Sequence, residues 1–267
     1  MLEFNKSIIG MVHVQALPGT PRNVLEIDAI VAKALTDAQK LEDAGVDAVM
    51  IENMHDRPYM NRKVGPEITA GMTTVALALR QQLQLPLGIQ ILAGANGEAL
   101  AVALAAGFDF IRAEGFVFGH LADEGMMNSN AADLLRYRQQ IGAEHIRVLT
   151  DIKKKHSAHA LSADVSVAET AKAAEFFLSD GVIVTGSSTG MKPSTDDLEQ
   201  VKQAVNIPVL IGSGIDVSNI GTYWPLADAF IVGSSLKYDG NWENDVDPDR
   251  VNGFMKKIEA LRKKYDA

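Results

Sequence analysis

The chain has 267 residues, 47% of them hydrophobic, no cysteine and a formal net charge of −9. That length is close to the roughly 250 residues of one (β/α)8 barrel and can bury a sizeable core. The acidic balance argues against a nucleic-acid partner and against a polybasic membrane anchor, and the missing cysteines exclude disulfides, thiolate catalysis and Cys-ligated metal clusters. No apolar run approaches the roughly 18 residues needed to span a bilayer, so no membrane insertion is expected. Residues 1–6 lack the basic and apolar regions of a secretory leader, and the expected location is cytoplasmic.

Residues 7–14 (SIIGMVHV) read as a first strand, followed by a turn-rich loop, QALPGTP. Helical periodicity over 25–44 ends at Gly45, and 48–53 (AVMIEN) form a second strand. A polar loop over 54–66 holds His55, Asp56, Arg57 and Lys63. A helix over 67–83 leads through Pro86 into a third strand at 87–92. A small-residue helix at 96–106 is closed by Gly107, and a fourth strand covers 110–116 (FIRAEGF). After a loop over 117–130 come a helix at 131–142 and a fifth strand at 146–152. A basic loop beginning Lys153-Lys154-Lys155-His156 runs to Asp164, before a helix at 167–178 and a sixth strand at 181–185. A helix over 195–205, capped by Thr195, leads to a seventh strand opened by Pro208. A weakly helical link reaches the eighth strand, and a closing helix runs over 248–265, with Asp247 as N-cap and Pro248 at N1.

Eight strands alternating with helices long enough for right-handed crossovers predict an α/β fold, a (β/α)8 TIM barrel occupying residues 1–267 as a single domain. The competitor is an open doubly wound sheet. That fold usually places a Gly-rich turn after its first strand, whereas here the first loop is proline-rich and no G-x-G-x-x-G opens the first helix.

Two stretches near the end stand apart: PVLIGSG at 208–214 and AFIVGSS at 229–235. Each is an apolar run that stops in small residues, as a buried parallel strand does when its carboxyl end opens onto a ligand. On the last two strands of a barrel such endings form a phosphate cradle, here Gly212, Ser213, Gly214, Gly233, Ser234 and Ser235. Two ordinary tight turns are the simpler alternative.

Inward-facing positions alternate along barrel strands, and those at the carboxyl ends face the active site. On that phase lie His13, Glu52, Gln90, Arg112, Glu114, Asp151, Lys153 and Thr185. Polar groups in an apolar barrel cost free energy unless paired or functional. His13 alone would ordinarily be a hydrogen-bonded core histidine, and Arg112 with Glu52, Glu114 or Asp151 could be a buried ion-pair network. Lys153 beside carboxylates could act as acid, base or anion ligand, although Lys153-Lys154-Lys155 also reads as a solvated charge run. A divalent metal on Glu52, His55, Asp56 and His13 stays open, but no H-E-x-x-H or His-x-His supports it and no cofactor is called for. Ser187, Ser188, Thr189, Gly190 and Lys192 could close over a phosphate, or form a polar turn. Phe116-Val117-Phe118 and Met126-Met127 suggest a lid or subunit contact.

The segments IGMVHVQALPG at 9–19, DAVMIEN at 47–53, FIRAE at 110–114, VTG at 184–186 and IGSG at 211–214 resemble the BtpA/SgcQ family across essentially the whole chain. That family is named for a photosystem I biogenesis factor, and its SgcQ-like members go with sugar-uptake and sugar-catabolism genes. The resemblance implies a barrel of the ribulose-phosphate-binding type. It carries over His13, Glu52, Asn53, Arg112, Glu114 and Thr185 as site residues, with residues 212–214 and 233–235 as phosphate ligands.

The expectation is a barrel enzyme acting by acid/base chemistry on a phosphorylated sugar or sugar-like metabolite, as isomerase, epimerase, lyase or hydrolase. A homo-oligomer is expected. The alternative is an assembly or regulatory factor with a relict phosphate site. FMN chemistry fits the same cradle but is disfavoured.

Overall fold

The apolar runs become the staves of a closed parallel barrel in the computed structural model, which describes residues 3–186 and 192–265. In chain order the strands are β1 Ser7–His13, β2 Ala48–Glu52, β3 Leu87–Gln90, β4 Phe110–Ala113, β5 His120–Ala122, β6 Gly125–Met127, β7 Arg147–Ile152, β8 Ser157–Ala158, β9 Gly181–Val184, β10 Val209–Ile211 and β11 Ala229–Val232. The barrel order is β1-β11-β10-β9-β7-β4-β3-β2, while β6, β5 and β8 form a small antiparallel sheet. Helices α1 Ile27–Asp43, α2 Pro66–Gln82, α3 Asn96–Ala106, α4 Ala131–Gln140, α5 Val167–Phe176, α6 Thr195–Ala204, α7 Ile220–Tyr223 and α8 Pro248–Tyr265 complete the chain.

Each long helix buries one stripe against the outside of the sheet. Helix α1 turns Ile30, Ala34, Ala38 and Leu41 inward, the i, i+4, i+8 spacing of an amphipathic helix. A separate cluster fills the barrel: Ile9, Met11, Ala48, Met50, Phe110, Leu149, Ile183, Leu210, Ala229 and Ile231. The closing helix starts at Pro248, and Asp247 Oδ1 accepts from the Asp249 amide at 3.0 Å, the cap that spacing predicts.

Two expectations are corrected. Helix α6 is capped by Ser194, whose hydroxyl accepts from the Asp197 amide at 3.3 Å, and Thr195 is already helical. The region 117–130 is a hairpin, with His120 opposite Met127 and Leu121 opposite Met126, extended by β8. Its strands are three residues long, too short for a period-2 pattern to show.

Candidate active site

Strand alternation builds the site. Two residues beyond the apolar interior layer, toward the carboxyl ends, come His13, Glu52, Arg112, Asp151, Thr185, Gly212 and Gly233, with Gln90 two beyond Gly88. All eight barrel strands therefore carry a polar residue or a glycine at this level. Strand register sets His13 opposite Glu52, and Glu52 opposite Gln90.

A cavity of about 320 Å³ opens at this mouth. Its lining combines His13, Glu52, Arg112 and Lys155 with the two small-residue corners, 212–216 and 233–235. The corners are adjacent because β10 and β11 pair directly, with Ile211 opposite Phe230. A Cβ at Gly212 would stand 2.5 Å from Ile183 Cγ2 and 3.2 Å from Arg112 Nη2, so only glycine lets the backbone approach here. Gly214 takes a φ of +74°, which turns the chain back along the cavity. After Gly233 the chain enters a 3₁₀ turn, Ser234–Leu236, whose first closing bond is Leu236 N–H to Gly233 O. The amides of Ser234 and Ser235 thus start a helical turn with no carbonyl behind them, a donor arrangement suited to an anion. Ser235 Oγ donates to Ile215 O at 2.7 Å and ties the corners together. Arg250, exposed in the first turn of α8, adds a cation to the lining.

In the same lining, beside the corners, lie groups suited to moving protons. His13 Nδ1 stands 2.9 Å from the carbonyl of Trp242, whose ring also packs edge-on against the imidazole. A carbonyl only accepts, so Nδ1 carries the proton and Nε2 is left as an acceptor. Burial, with the Lys237 ammonium next in effect, holds the imidazole well below its usual range, and the ring is neutral. Nε2 lies 3.5 Å from the Cβ position of Gly233, at the edge of the small-residue corner. Burial raises the Glu52 carboxyl, only partly offset by Arg112 and Lys155. Burial and then Arg112 lower the Lys155 ammonium, against the pull of Glu52 and Asp151. A carboxyl held high, an amine held low and a neutral imidazole share one space; the first two are moved toward proton exchange near neutral pH, and the third is kept as a hydrogen-bond acceptor.

The remaining candidates divide. Arg112 makes a two-pronged contact with Asp151, Nε to Oδ2 at 2.9 Å and Nη2 to Oδ1 at 2.8 Å, and both are buried. Arg112 thereby faces the cavity while Asp151 holds it from the side. Glu114 pairs with Lys154 at 3.4 Å, burial raises its carboxyl, and Oε2 has no hydrogen-bond partner among the described residues. Asn53 is committed to structure: its amide donates to Asp56 at 2.8 Å, and its oxygen accepts from the Leu92 amide at 2.7 Å. Gln90 is buried with Oε1 unpartnered among the described residues. The Thr185 hydroxyl accepts from the Lys155 amide at 3.0 Å and so helps place that lysine.

Lys153 does not enter the cavity. Its ammonium donates to Ser162 O at 2.8 Å, and it lines a small neighbouring pocket instead. Strand β7 stops at Ile152 and Lys153 has a φ of +43°, so alternation ends one residue early and Lys155 is delivered in its place. Ser187, Ser188, Thr189 and Gly190 lie outside the described residues, and Lys192 is exposed. Asp56 accepts from the Leu17 amide as well as from Asn53, and His55 packs on Trp242 with ring centroids 5.0 Å apart. Among the described residues no three His, Asp or Glu side chains are grouped to hold a metal ion. Arg250 went unnoticed in the sequence, although a cation in a helix's first turn opposes the helix dipole and is itself a signal.

The neutral His13 has a consequence for stability. Its folded pKa lies well below the ordinary 6.5 of the unfolded chain. Above pH 6.5 both states are unprotonated there; below it only the unfolded chain takes up the proton, and folding loses up to about 1.4 kcal/mol per pH unit. Glu52 and Glu114, both raised, act in the opposite sense over acid pH. The comparison that isolates His13 is therefore wild type against His13→Asn, whose amide can keep the Trp242 bond without titrating. Urea unfolding at pH 7.5 and 5 is expected to show wild type losing more stability than the variant.

Fold and cavity together define a TIM barrel with its candidate site at the carboxyl-terminal mouth. The BtpA family model matches residues 4–260, and the chain belongs to the BtpA family. An uncharacterised mitochondrial protein of Caenorhabditis elegans is 49% identical over 96% of this chain and 94% of its own. The photosystem I biogenesis protein BtpA of Synechocystis is 35% identical over 96% of this chain and 90% of its own. Among solved structures, thiamine phosphate pyrophosphorylase from Pyrococcus furiosus superposes with a TM-score of 0.59 at 14% identity, covering 97% of both chains. Phosphoribosyl anthranilate isomerase from Thermus thermophilus gives 0.57 at 13%, covering 96% of this chain and all of its own. At that identity the likeness is one of fold. No described helix is long and apolar enough to cross a membrane.

Proposed function

We propose that the protein is a cytoplasmic enzyme that binds a phosphorylated sugar or sugar-like metabolite and rearranges it by acid/base chemistry. The observation that carries this is that the two small-residue corners and His13, Glu52 and Lys155 line one cavity. The corners and Arg250 take the phosphate. His13 Nε2 accepts a hydrogen bond from a substrate hydroxyl close to it. Glu52, which lines the cavity, removes a proton from the carbon beside a carbonyl and returns it to carbon. Lys155 stabilises the enediolate oxygen that develops between those two steps, and Arg112, fixed by Asp151, sets the positive potential of the wall. Isomerisation returns the proton to the neighbouring carbon and epimerisation to the opposite face of the same carbon, whereas aldol cleavage reaches an enediolate by taking the proton from a hydroxyl as the carbon–carbon bond breaks.

Calorimetric titration with ribose 5-phosphate, glucose 1-phosphate and inorganic phosphate tests the binding. Heat that saturates in the micromolar to millimolar range is expected, and no heat with any of them overturns the proposal. With the substrate so found, Glu52→Gln should keep phosphate binding yet lower kcat by roughly 10²–10⁴-fold.

A second possibility, a barrel kept as an assembly or regulatory factor, draws on the Synechocystis relative and on the exposed Phe118, Leu121 and Met126 of the hairpin region. It expects Glu52→Gln to be silent in complementation and changes at 117–127 to be damaging.

A further inference from the structure

The small-residue corners are not closed on their outer side. A second recess of about 230 Å³ adjoins them, lined by Asp216, Val217, Ser235, Arg250, Gly253 and Phe254. Asp216, Ser235 and Arg250 also line the main cavity, so the two spaces meet across the anion position. A terminal phosphate needs no room beyond itself, because its three free oxygens are met by donors and nothing leaves on the far side.

Gly253 gives an independent indication. It lies inside α8, where glycine is about 1 kcal/mol less favourable than alanine. Its φ is not in the left-handed region, and a Cβ built there meets nothing within 4 Å. Neither backbone conformation nor packing asks for glycine at this position. Arg250, Gly253 and Phe254, three and four residues apart, share one helix face, so the bare helix surface is turned to the recess. On the opposite side Val217 is 53% exposed, an apolar side chain left open to solvent. A ligand group lying between Val217 and Gly253 would cover the one and use the space kept by the other.

Building on the proposed phosphate site, we infer that the bound phosphate is internal, carrying a substituent on each side. The substrate class is then a sugar joined through a diphosphate or phosphodiester to a second, partly apolar group of nucleoside kind. The sugar arm points to His13, Glu52 and Lys155. The nucleoside arm lies in the outer recess, with Arg250 over the phosphates between them and the Asp216 carboxylate at its polar edge.

Two matched pairs of probes test this by calorimetry at fixed ionic strength: ribose 5-phosphate against ADP-ribose, and glucose 1-phosphate against UDP-glucose. In each pair the second compound adds only the nucleotide arm. Wild type is expected to bind the nucleotide compound of at least one pair roughly tenfold more tightly or better. Gly253→Leu, which fills the recess from a helix position that favours leucine over glycine, is expected to abolish that advantage and leave monoester affinity within about twofold. Thermal unfolding of the variant checks that the fold is kept. Equal affinities within both pairs, or an advantage that survives Gly253→Leu, overturn the inference and leave the phosphate site standing. Failure of all four compounds and of inorganic phosphate to bind removes both.

Discussion

Arg112→Ala is expected to lower folding stability by about 3–5 kcal/mol, the largest effect of any single truncation at the barrel mouth. The guanidinium is 5% exposed and the Asp151 carboxylate beneath it 1%, and two charge-assisted hydrogen bonds join them. Removing the cation leaves Asp151 buried, desolvated and without its partner, and no other cation is hydrogen-bonded to it among the described residues. Glu52 and Glu114 also lose the positive charge that offsets their burial. Urea or thermal unfolding of wild type, Arg112→Ala and the double change Arg112→Met with Asp151→Leu separates lost attraction from stranded charge. The double variant should recover much of the loss, because two apolar residues of similar size carry no desolvation cost. If Arg112→Ala proves neutral, the pair is not the structural floor of the site, and water or a bound ion must be replacing the guanidinium.

That pairing shows how far sequence alone reached. The barrel was legible because its signal is repeated: eight apolar runs alternating with helices overdetermine the topology. The polar level at the mouth was legible for the same reason, since His13, Glu52, Arg112 and Asp151 each follow an inward apolar residue by two. What alternation cannot reveal is where a strand stops. At β7 one left-handed residue, Lys153, exchanges the lysine expected in the cavity for Lys155. At β2 the strand ends at Glu52, and Asn53 turns to brace Asp56 and the Leu92 amide instead of facing a ligand. Trp242, which fixes the tautomer of His13 from a loop 229 residues away, left no local pattern to detect. Contacts of that range are set by the closure of the barrel, and they belong to the level of tertiary structure.

The phosphate site itself rests on a charge argument, and Ser234→Asp puts it to the test. Ser234 opens the 3₁₀ turn after Gly233 and lines the cavity. An acidic residue at the start of a helical turn is electrostatically favourable, so the variant should fold as well as wild type, within about 1 kcal/mol. Toward a bound anion the same carboxylate is repulsive. Two unit charges about 5 Å apart in an effective dielectric of about 20 repel by roughly 3 kcal/mol, which is more than 100-fold in affinity. Ser234→Asp is therefore expected to lose detectable binding of ribose 5-phosphate, together with the rise in Tm that a ligand specific to the folded state produces. Ser234→Ala removes one hydroxyl but none of the backbone donors, and should stay within about tenfold of wild type. The contrast between these two variants matters more than either value, because each perturbs the same position while only one changes its charge. Equal phosphate affinity in all three proteins would mean that the anion binds elsewhere, and that the two small-residue corners are turns and nothing more.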